Sequence, residues 1–93
     1  MGIVAEISRD PLAKLENEVE LLTREFVSNK RELRKLLSAY GVKSAEEIEA
    51  KIGRGELREH PTYEDYLSAL QLEMNLEDLR ESLREKYSQL IAI

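Results

Sequence analysis

The residues of this sequence best suited to chemistry are a single histidine and two pairs of glutamates. His60 is the only imidazole, and it stands before Pro61 in a polar stretch that begins at Glu56. A di-iron site inside a helical bundle requires a glutamate three residues before the histidine, a position that Leu57 occupies here. The sequence therefore excludes that class of metal site, and we interpret His60 as a solvated or capping residue.

The two glutamate pairs have the i, i+3 spacing that places two carboxylates on one side of a helix. They are Glu46 with Glu49 and Glu56 with Glu59. All-helical nucleotide pyrophosphatases hold magnesium between such pairs on two facing helices, whereas one pair here falls in a short predicted helix and the other in a connector. The chain has no cysteine, so a thiolate metal site is excluded as well. We expect no metal, no cofactor and no catalytic residue.

The charge of the chain disfavours nucleic acid as a ligand. The 93 residues include 19 acidic and 14 basic side chains, which give a net charge of -5. A nucleic-acid-binding protein needs a concentrated basic face. The one basic cluster spreads around more than half of a helix circumference and is interrupted by Glu32, so we interpret it as a solvated face. Its members are Lys30, Arg31, Arg34 and Lys35.

The element that positions these basic residues is one long helix with a seven-residue repeat. Apolar side chains recur along it at alternating steps of three and four, which is the spacing of a coiled-coil seam. Asn29 is the polar member of the seam, and a polar seam residue can fix the register of packing. We expect Asn29 to face a polar group or its own symmetry mate. The seam consists of Leu12, Leu15, Val19, Leu22, Phe26, Asn29, Leu33, Leu36 and Tyr40.

Capping residues predict where this first helix begins and ends. Asp10 can accept a hydrogen bond from a free backbone N–H, and Pro11 suits the first helical position because its missing N–H costs nothing there. Gly41 is the expected left-handed stop. These signals predict a helix at about residues 11–40.

A short second helix follows at about residues 45–52. Ser44 and Glu47 form a capping box, in which each side chain bonds a backbone N–H of the other. Gly53 and Gly55 end the helix. The segment between them lacks the preceding strand and the following lysine of a phosphate-binding loop, so we assign it no phosphate.

The third predicted helix, at about residues 63–90, changes its apolar face along its length. Thr62 is its expected N-cap, with Asp65 at the reciprocal position, and His60 should be extended because it precedes Pro61. A helix with two apolar faces has two partners, of which one is expected within the chain and the other across an interface. One face carries Tyr63, Tyr66, Leu67, Leu70 and Met74, and the opposite face carries Leu72, Leu76, Leu79, Leu83, Tyr87 and Leu90.

The two ends of the chain are apolar but short. Met1 to Ile7 predicts an arm that packs on the body or forms a short strand, and Leu90 to Ile93 is expected to dock on the hairpin or on a partner. No apolar run approaches the roughly 20 residues of a membrane span, and no export signal is recognisable. We therefore expect no membrane contact and a cytoplasmic location.

The order of long, short and long helices resembles the small all-helical chorismate mutases. Arg24 and Lys35 stand eleven residues apart on the first helix, as do two substrate-binding cations of that family. The following Arg-Glu pair of the family has no counterpart near Ser44 to Ile48, and no basic residue stands near Ile7. Three or four cations are the core of such a dicarboxylate site, and this chain matches two of them. We therefore keep this enzyme only as the alternative.

A longer resemblance covers residues 33–70. Here the chain resembles short helical prokaryotic proteins, many of which look like antitoxins of toxin–antitoxin pairs. That resemblance implies a protein partner such as a toxin, although the closing helix lacks the tryptophan that such proteins often carry. The shared segments are Tyr40-Gly41, Ser44 to Ile48, Ile52 to Leu57, and Tyr63 to Tyr66.

Together these patterns predict one all-α domain over residues 1–93. Its long antiparallel helical hairpin has a short connecting helix and dimerises into a four-helix-type bundle. We expect a non-enzymatic protein–protein interaction module that is antitoxin-like; the alternatives are the chorismate-mutase-like enzyme and a purely structural dimerisation element. The expected interface residues are Leu12, Leu15, Val19, Leu22, Phe26, Asn29, Leu33, Leu36, Tyr63, Leu67, Leu70 and Met74.

Overall fold

The computed structural model describes residues 10–92, which form three helices. They are α1 (Pro11–Ala39), α2 (Ala45–Gly53) and α3 (Glu59–Ala92). The two long helices pack against each other and α2 packs on α3, which confirms the predicted all-α hairpin with a short connecting helix. The prediction for the N-terminal arm lies outside the described residues, as does Ile93.

Local signals start and end α1 as the sequence predicts. The Asp10 carboxylate accepts a hydrogen bond of 3.0 Å from the Leu12 N–H. At the other end Gly41 has a φ of 65°, and two backbone bonds close the turn, from Gly41 N–H to Ser38 and from Val42 N–H to Leu37. This pair of backbone hydrogen bonds is a Schellman motif, which satisfies the last free carbonyls of the helix.

The N-terminus of α2 is capped by three side chains, of which the sequence predicted two. The Ser44 hydroxyl accepts a bond of 3.3 Å from the Glu47 N–H, as a capping box requires. The Glu47 carboxylate bonds the Lys43 N–H at 2.6 Å instead of the Ser44 N–H, so that half of the predicted box is displaced by one residue. Glu73 of α3 supplies the third cap, because its carboxylate accepts from the Ala45 N–H at 2.9 Å.

The helix α3 begins earlier than predicted, at Glu59 instead of residue 63. His60 interrupts its first turn with φ -116° and ψ 135°, which confirms the extended conformation expected before Pro61. Thr62 is buried, and Asp65 in the same turn accepts a hydrogen bond from the Tyr40 hydroxyl. This bond ties the start of α3 to the end of α1.

The best-packed part of the core surrounds α2. Ala45, Ile48 and Ala69 have no exposed surface, and Leu37 is buried with them. Leu37 is not a member of the predicted seam, but its side chain is covered because it lies in the cluster that α2 completes. Half-buried side chains surround this cluster: Leu33, Leu36, Tyr40, Val42, Ile52, Tyr66 and Leu70.

The predicted seam is the side of α1 that packs along α3. Leu15 is buried and the seam residues from Val19 to Tyr40 are half-buried, whereas Leu12 is 42% exposed. Asn29 is half-buried, as the register requires, while the identity of its polar partner stays a prediction. A bond of 2.8 Å between Glu18 and Lys86 joins the start of α1 to the end of α3, so the helices are antiparallel.

The helices form a thin, elongated molecule of 62 × 28 × 15 Å. On α3 the face of Leu72, Leu76 and Leu79 is buried. On the opposite face Tyr66 and Leu70 pack against the cluster around α2, whereas Tyr63, Leu67 and Met74 are partly exposed. At the C-terminus Ile91 is 85% exposed. The expectation that this end docks on its own hairpin is therefore wrong for Ile91, although Leu90 beside it is half-buried.

Candidate functional site

A groove of about 500 Å³ lies beside the bend of the hairpin. Its floor is apolar and its rim is cationic, and we call it the basic groove. The C-terminal half of α1, the connection after it and the middle of α3 supply its walls. Its lining consists of Lys30, Leu33, Arg34, Leu37, Ser38, Val42, Lys43, Glu73, Leu76 and Arg80.

Helical spacing and one turn bring the four cations of the rim together. Lys30 and Arg34 are four residues apart, so they lie one turn apart on the same side of α1. The left-handed Gly41 turns the chain sharply, which brings Lys43 to the same groove. Arg80 reaches it from α3. The basic groove therefore gathers cations from three separate parts of the chain.

Most of the rim charge has no carboxylate partner among the residues that the structure describes. Arg80 pairs with Glu77 at 3.0 Å, but Lys30, Arg34 and Lys43 make no ion pair with any residue between 10 and 92. Glu73 is the acidic residue of the groove, and its carboxylate already caps α2. The groove is thus electropositive in a chain of net charge -5.

Phe26 anchors two of these cations. The Lys30 ammonium and the Arg80 guanidinium each lie 5.7 Å from the centre of its ring, within the range of a cation–π interaction. One cation comes from α1 and the other from α3, so the aromatic ring holds both sides of the groove. This arrangement orients the two cationic side chains without neutralising their charge.

A second candidate surface is the outer face of α3, opposite the face that α1 covers. Seven residues follow one another at steps of three and four and form a single stripe, which we call the outer row. Tyr63, Leu67 and Met74 are 42%, 45% and 56% exposed. The row changes from apolar to acidic after Met74, and its members are Tyr63, Leu67, Leu70, Met74, Asp78, Glu81 and Glu85.

Two tyrosines near the bend hold the three helices together by hydrogen bonds. Tyr40 donates to Asp65, and that bond is the main reason that the pKa of Tyr40 is raised above its ordinary value. A bond to Glu49 likewise raises the pKa of Tyr66. Both phenols therefore stay protonated at neutral pH and act as structural donors between helices.

The residues that first suggested metal chemistry are solvated and engaged elsewhere. His60 lies 2.9 Å from Glu64, and both side chains are mostly exposed. That bond lowers the pKa of Glu64. Glu56 pairs with Arg54 at 2.8 Å, and Glu49 bonds Tyr66. No group of three possible metal ligands occurs within residues 10–92.

The two cations that suggested a dicarboxylate site lie outside the basic groove. Arg24 forms an exposed ion pair with Glu20 at 2.7 Å, and Lys35 is exposed on α1. The groove is instead lined by Lys30 and Arg34, which the sequence analysis assigned to a solvated face.

The predicted interface residues fall into two groups. The members on α1 mainly pack within the hairpin, whereas Tyr63, Leu67 and Met74 face outward, with Leu70 half-buried beside them. The acidic half of the outer row was missed, as were Lys43 and Arg80 of the groove. A signal for the acidic half was present, because Asp78, Glu81 and Glu85 continue the same helical spacing.

Comparisons with known proteins give a family but no activity. The model of the family described as "Uncharacterized protein MJ0235 family" matches residues 11–89. No curated protein and no solved structure matches the chain. No helix among the described residues is both long and apolar enough to cross a membrane.

Proposed function

Because this chain belongs to the Uncharacterized protein MJ0235 family, whose description states no activity, we propose its function from the geometry. The protein is a non-enzymatic protein–protein interaction module that pairs with a second copy of itself. The observation that carries this proposal is the apolar half of the outer row. Tyr63, Leu67 and Met74 follow one another at helical spacing on α3 and are 42%, 45% and 56% exposed.

The shape of the molecule supports pairing. A body only 15 Å thick is little wider than one helix with its side chains, so a large share of its apolar surface meets solvent. Complete burial of one leucine or methionine contributes about 1.5–3 kcal/mol. Covering the half-exposed apolar row therefore offers a driving force that a second thin molecule can supply.

The resemblance of residues 33–70 to antitoxin-like proteins supports a further protein partner. Such a partner, for example a toxin, would bind the assembled dimer. Co-expression with the product of a neighbouring gene tests this part, because a stable stoichiometric complex is expected. Failure of every neighbouring product to co-purify would remove the antitoxin-like part and leave the self-pairing in place.

Sedimentation velocity at micromolar concentration tests the self-pairing directly. The wild-type chain is expected to sediment as a dimer, and the double variant Leu67→Glu/Met74→Glu as a folded monomer. Leu21→Glu is the matched control, because Leu21 is 66% exposed on α1 and lies outside the outer row. A wild-type monomer, or a dimer that tolerates the double variant, would contradict the proposal.

A further inference from the structure

The basic groove and the acidic half of the outer row are complementary surfaces on one molecule. We propose that the outer row of one copy docks against the basic groove of a second copy, and that the two copies do so reciprocally. This inference rests on the proposed self-pairing and specifies its geometry.

The charge of the groove requires an acidic occupant. Lys30, Arg34 and Lys43 face the groove without a carboxylate partner among residues 10–92. Like charges gathered on one rim repel each other, and an incoming carboxylate relieves that repulsion. Charge complementarity of this kind mainly fixes orientation and partner choice.

The floor of the groove requires an occupant that is also apolar. The floor is lined by Leu33, Leu37, Val42 and Leu76. A ligand that carries only charge would leave this apolar surface exposed to water. A nucleic-acid backbone meets the rim but not the floor, and Phe26, the aromatic side chain at the rim, is already flanked by Lys30 and Arg80. An amphipathic acidic helix meets both requirements.

The outer row of α3 has this composition. Met74 is 56% exposed, and Asp78, Glu81 and Glu85 continue its stripe as exposed carboxylates. One helix face thus presents an apolar segment followed directly by an acidic one. A second copy of the chain is the occupant for which the structure shows the required chemistry.

The position of the two surfaces allows a closed dimer. Glu73 and Arg80 of α3 line the groove, and Met74 lies in the same turns of α3, about a third of the way around the helix from each of them. A two-fold axis near these turns exchanges the groove of each copy with the row of the other. Such an isologous contact closes on itself and leaves neither surface free to recruit a third copy.

Charge reversal of each surface, followed by mixing, tests the inference. The groove variant is Lys30→Glu/Arg34→Glu and the row variant is Asp78→Lys/Glu81→Lys; all four side chains are exposed. Each variant alone sets like charges against each other, so we expect self-association to weaken by about 30-fold or more. An equimolar mixture restores opposite charges at one contact and keeps them at the other, and a heterodimer is expected.

The controls are Lys35→Glu and Glu25→Lys, which make the same charge changes on α1 outside both surfaces. They are expected to dimerise like the wild type, and circular dichroism verifies the helix content of every variant. Raising the salt concentration should weaken the wild-type dimer, because exposed ion pairs are screened.

Each other outcome overturns the inference, and the outcomes distinguish it from the proposed function. A dimer that tolerates both charge reversals but dissociates in Leu67→Glu/Met74→Glu keeps the self-pairing and overturns the groove contact. If both charge-reversal variants self-associate more weakly but their mixture forms no heterodimer, the row and the groove do not contact each other. A wild-type monomer overturns both proposals. An oligonucleotide that binds the wild type but not Lys30→Glu/Arg34→Glu assigns the groove to nucleic acid instead.

Discussion

The two ends of the hairpin differ in the number of helices that pack there. At the bend end, α2 joins the end of α1 and the first half of α3, and its residues Ala45 and Ile48 have no exposed surface. At the open end only two helices of the described residues 10–92 meet, and the buried residue there, Leu15, keeps 9% of its surface exposed. Three helices can enclose a side chain, whereas two can only cover one side of it.

The bend end combines the features expected to stabilise the fold with the surfaces proposed for binding. The bend end holds the enclosed apolar side chains, the Schellman turn after α1 and the hydrogen bonds between helices. The open end relies on a half-buried seam and the bond between Glu18 and Lys86. The basic groove and the apolar half of the outer row lie on the bend end, so the surfaces proposed for binding are held on its rigid part.

The largest expected effect tests whether the bend end dominates stability. Ile48→Ala removes the largest fully buried side chain and leaves a cavity among three helices. We expect the free energy of unfolding to fall by about 2–5 kcal/mol, measured by urea denaturation with circular dichroism as the signal.

Leu15→Ala is the matched truncation at the open end. Leu15 is also buried but lies between two helices, where solvent and neighbouring side chains can fill the space that is left. Its cost should fall at or below the lower end of the same range, about 2 kcal/mol. Equal losses in the two variants would break the comparison, because they would show that both ends are enclosed alike.

The sequence predicted the parts of this fold that depend on neighbouring residues. Asp10, Ser44 and Gly41 make the caps and the turn that their residue types indicate, since each acts within a few positions of itself. The seam of α1 was also predictable, because helical periodicity shows which side is covered even when the partner is unknown.

The parts that were missed depend on contacts between distant residues. Leu37 is buried because α2 completes the cluster around it, and Glu73 caps α2 from the far side of the hairpin. The basic groove needs Arg80 beside Lys30, a neighbourhood that exists only after α3 has folded back on α1. No local pattern encodes such a pairing, so the cations of α1 looked like a solvated face.

The next-largest effect on the free energy of unfolding is expected at Gly41, in the turn between α1 and α2. Gly41 has a φ of 65° and no atom near the position of an added Cβ, so Gly41→Ala adds backbone strain without a clash. We expect a loss of about 1–2 kcal/mol. Gly53→Ala is the control, because Gly53 is helical with equally open surroundings, and it should stabilise by about 0.5 kcal/mol. A Gly41→Ala chain as stable as the wild type would mean that the turn is not left-handed.

A smaller effect comes from the hydrogen bond between Tyr40 and Asp65. Tyr40→Phe keeps the ring and removes the donor, so we expect a loss of about 0.5–1.5 kcal/mol in the free energy of unfolding near neutral pH. The raised pKa of Tyr40 means that this contribution is complete below the ordinary value of 10.0 and is lost as the pH rises through the folded value. Urea titrations at neutral and strongly alkaline pH should show the difference between the two proteins shrinking. A difference that does not depend on pH would assign the loss to packing.

The smallest effect belongs to the ion pair of the open end, where Glu18 and Lys86 are about one-third exposed. Their hydrogen bond lowers the pKa of Glu18 below 4.5 and raises the pKa of Lys86 above 10.5. The lowered pKa of Glu18 means that its contribution to stability is present above pH 4.5 and is lost as the pH falls through the folded pKa. The raised pKa of Lys86 means that its contribution is present below pH 10.5 and is lost as the pH rises through the folded pKa.

A double-variant cycle of Glu18→Gln and Lys86→Gln isolates the pair from the other effects of each substitution. We expect a small coupling energy at neutral pH that disappears in acid and in high salt, because solvent and ions screen a partly exposed pair. A coupling as large as the loss in Ile48→Ala would contradict the comparison of the two ends. It would show that the open end is fixed by this bond instead of depending on its half-buried seam and on the second copy.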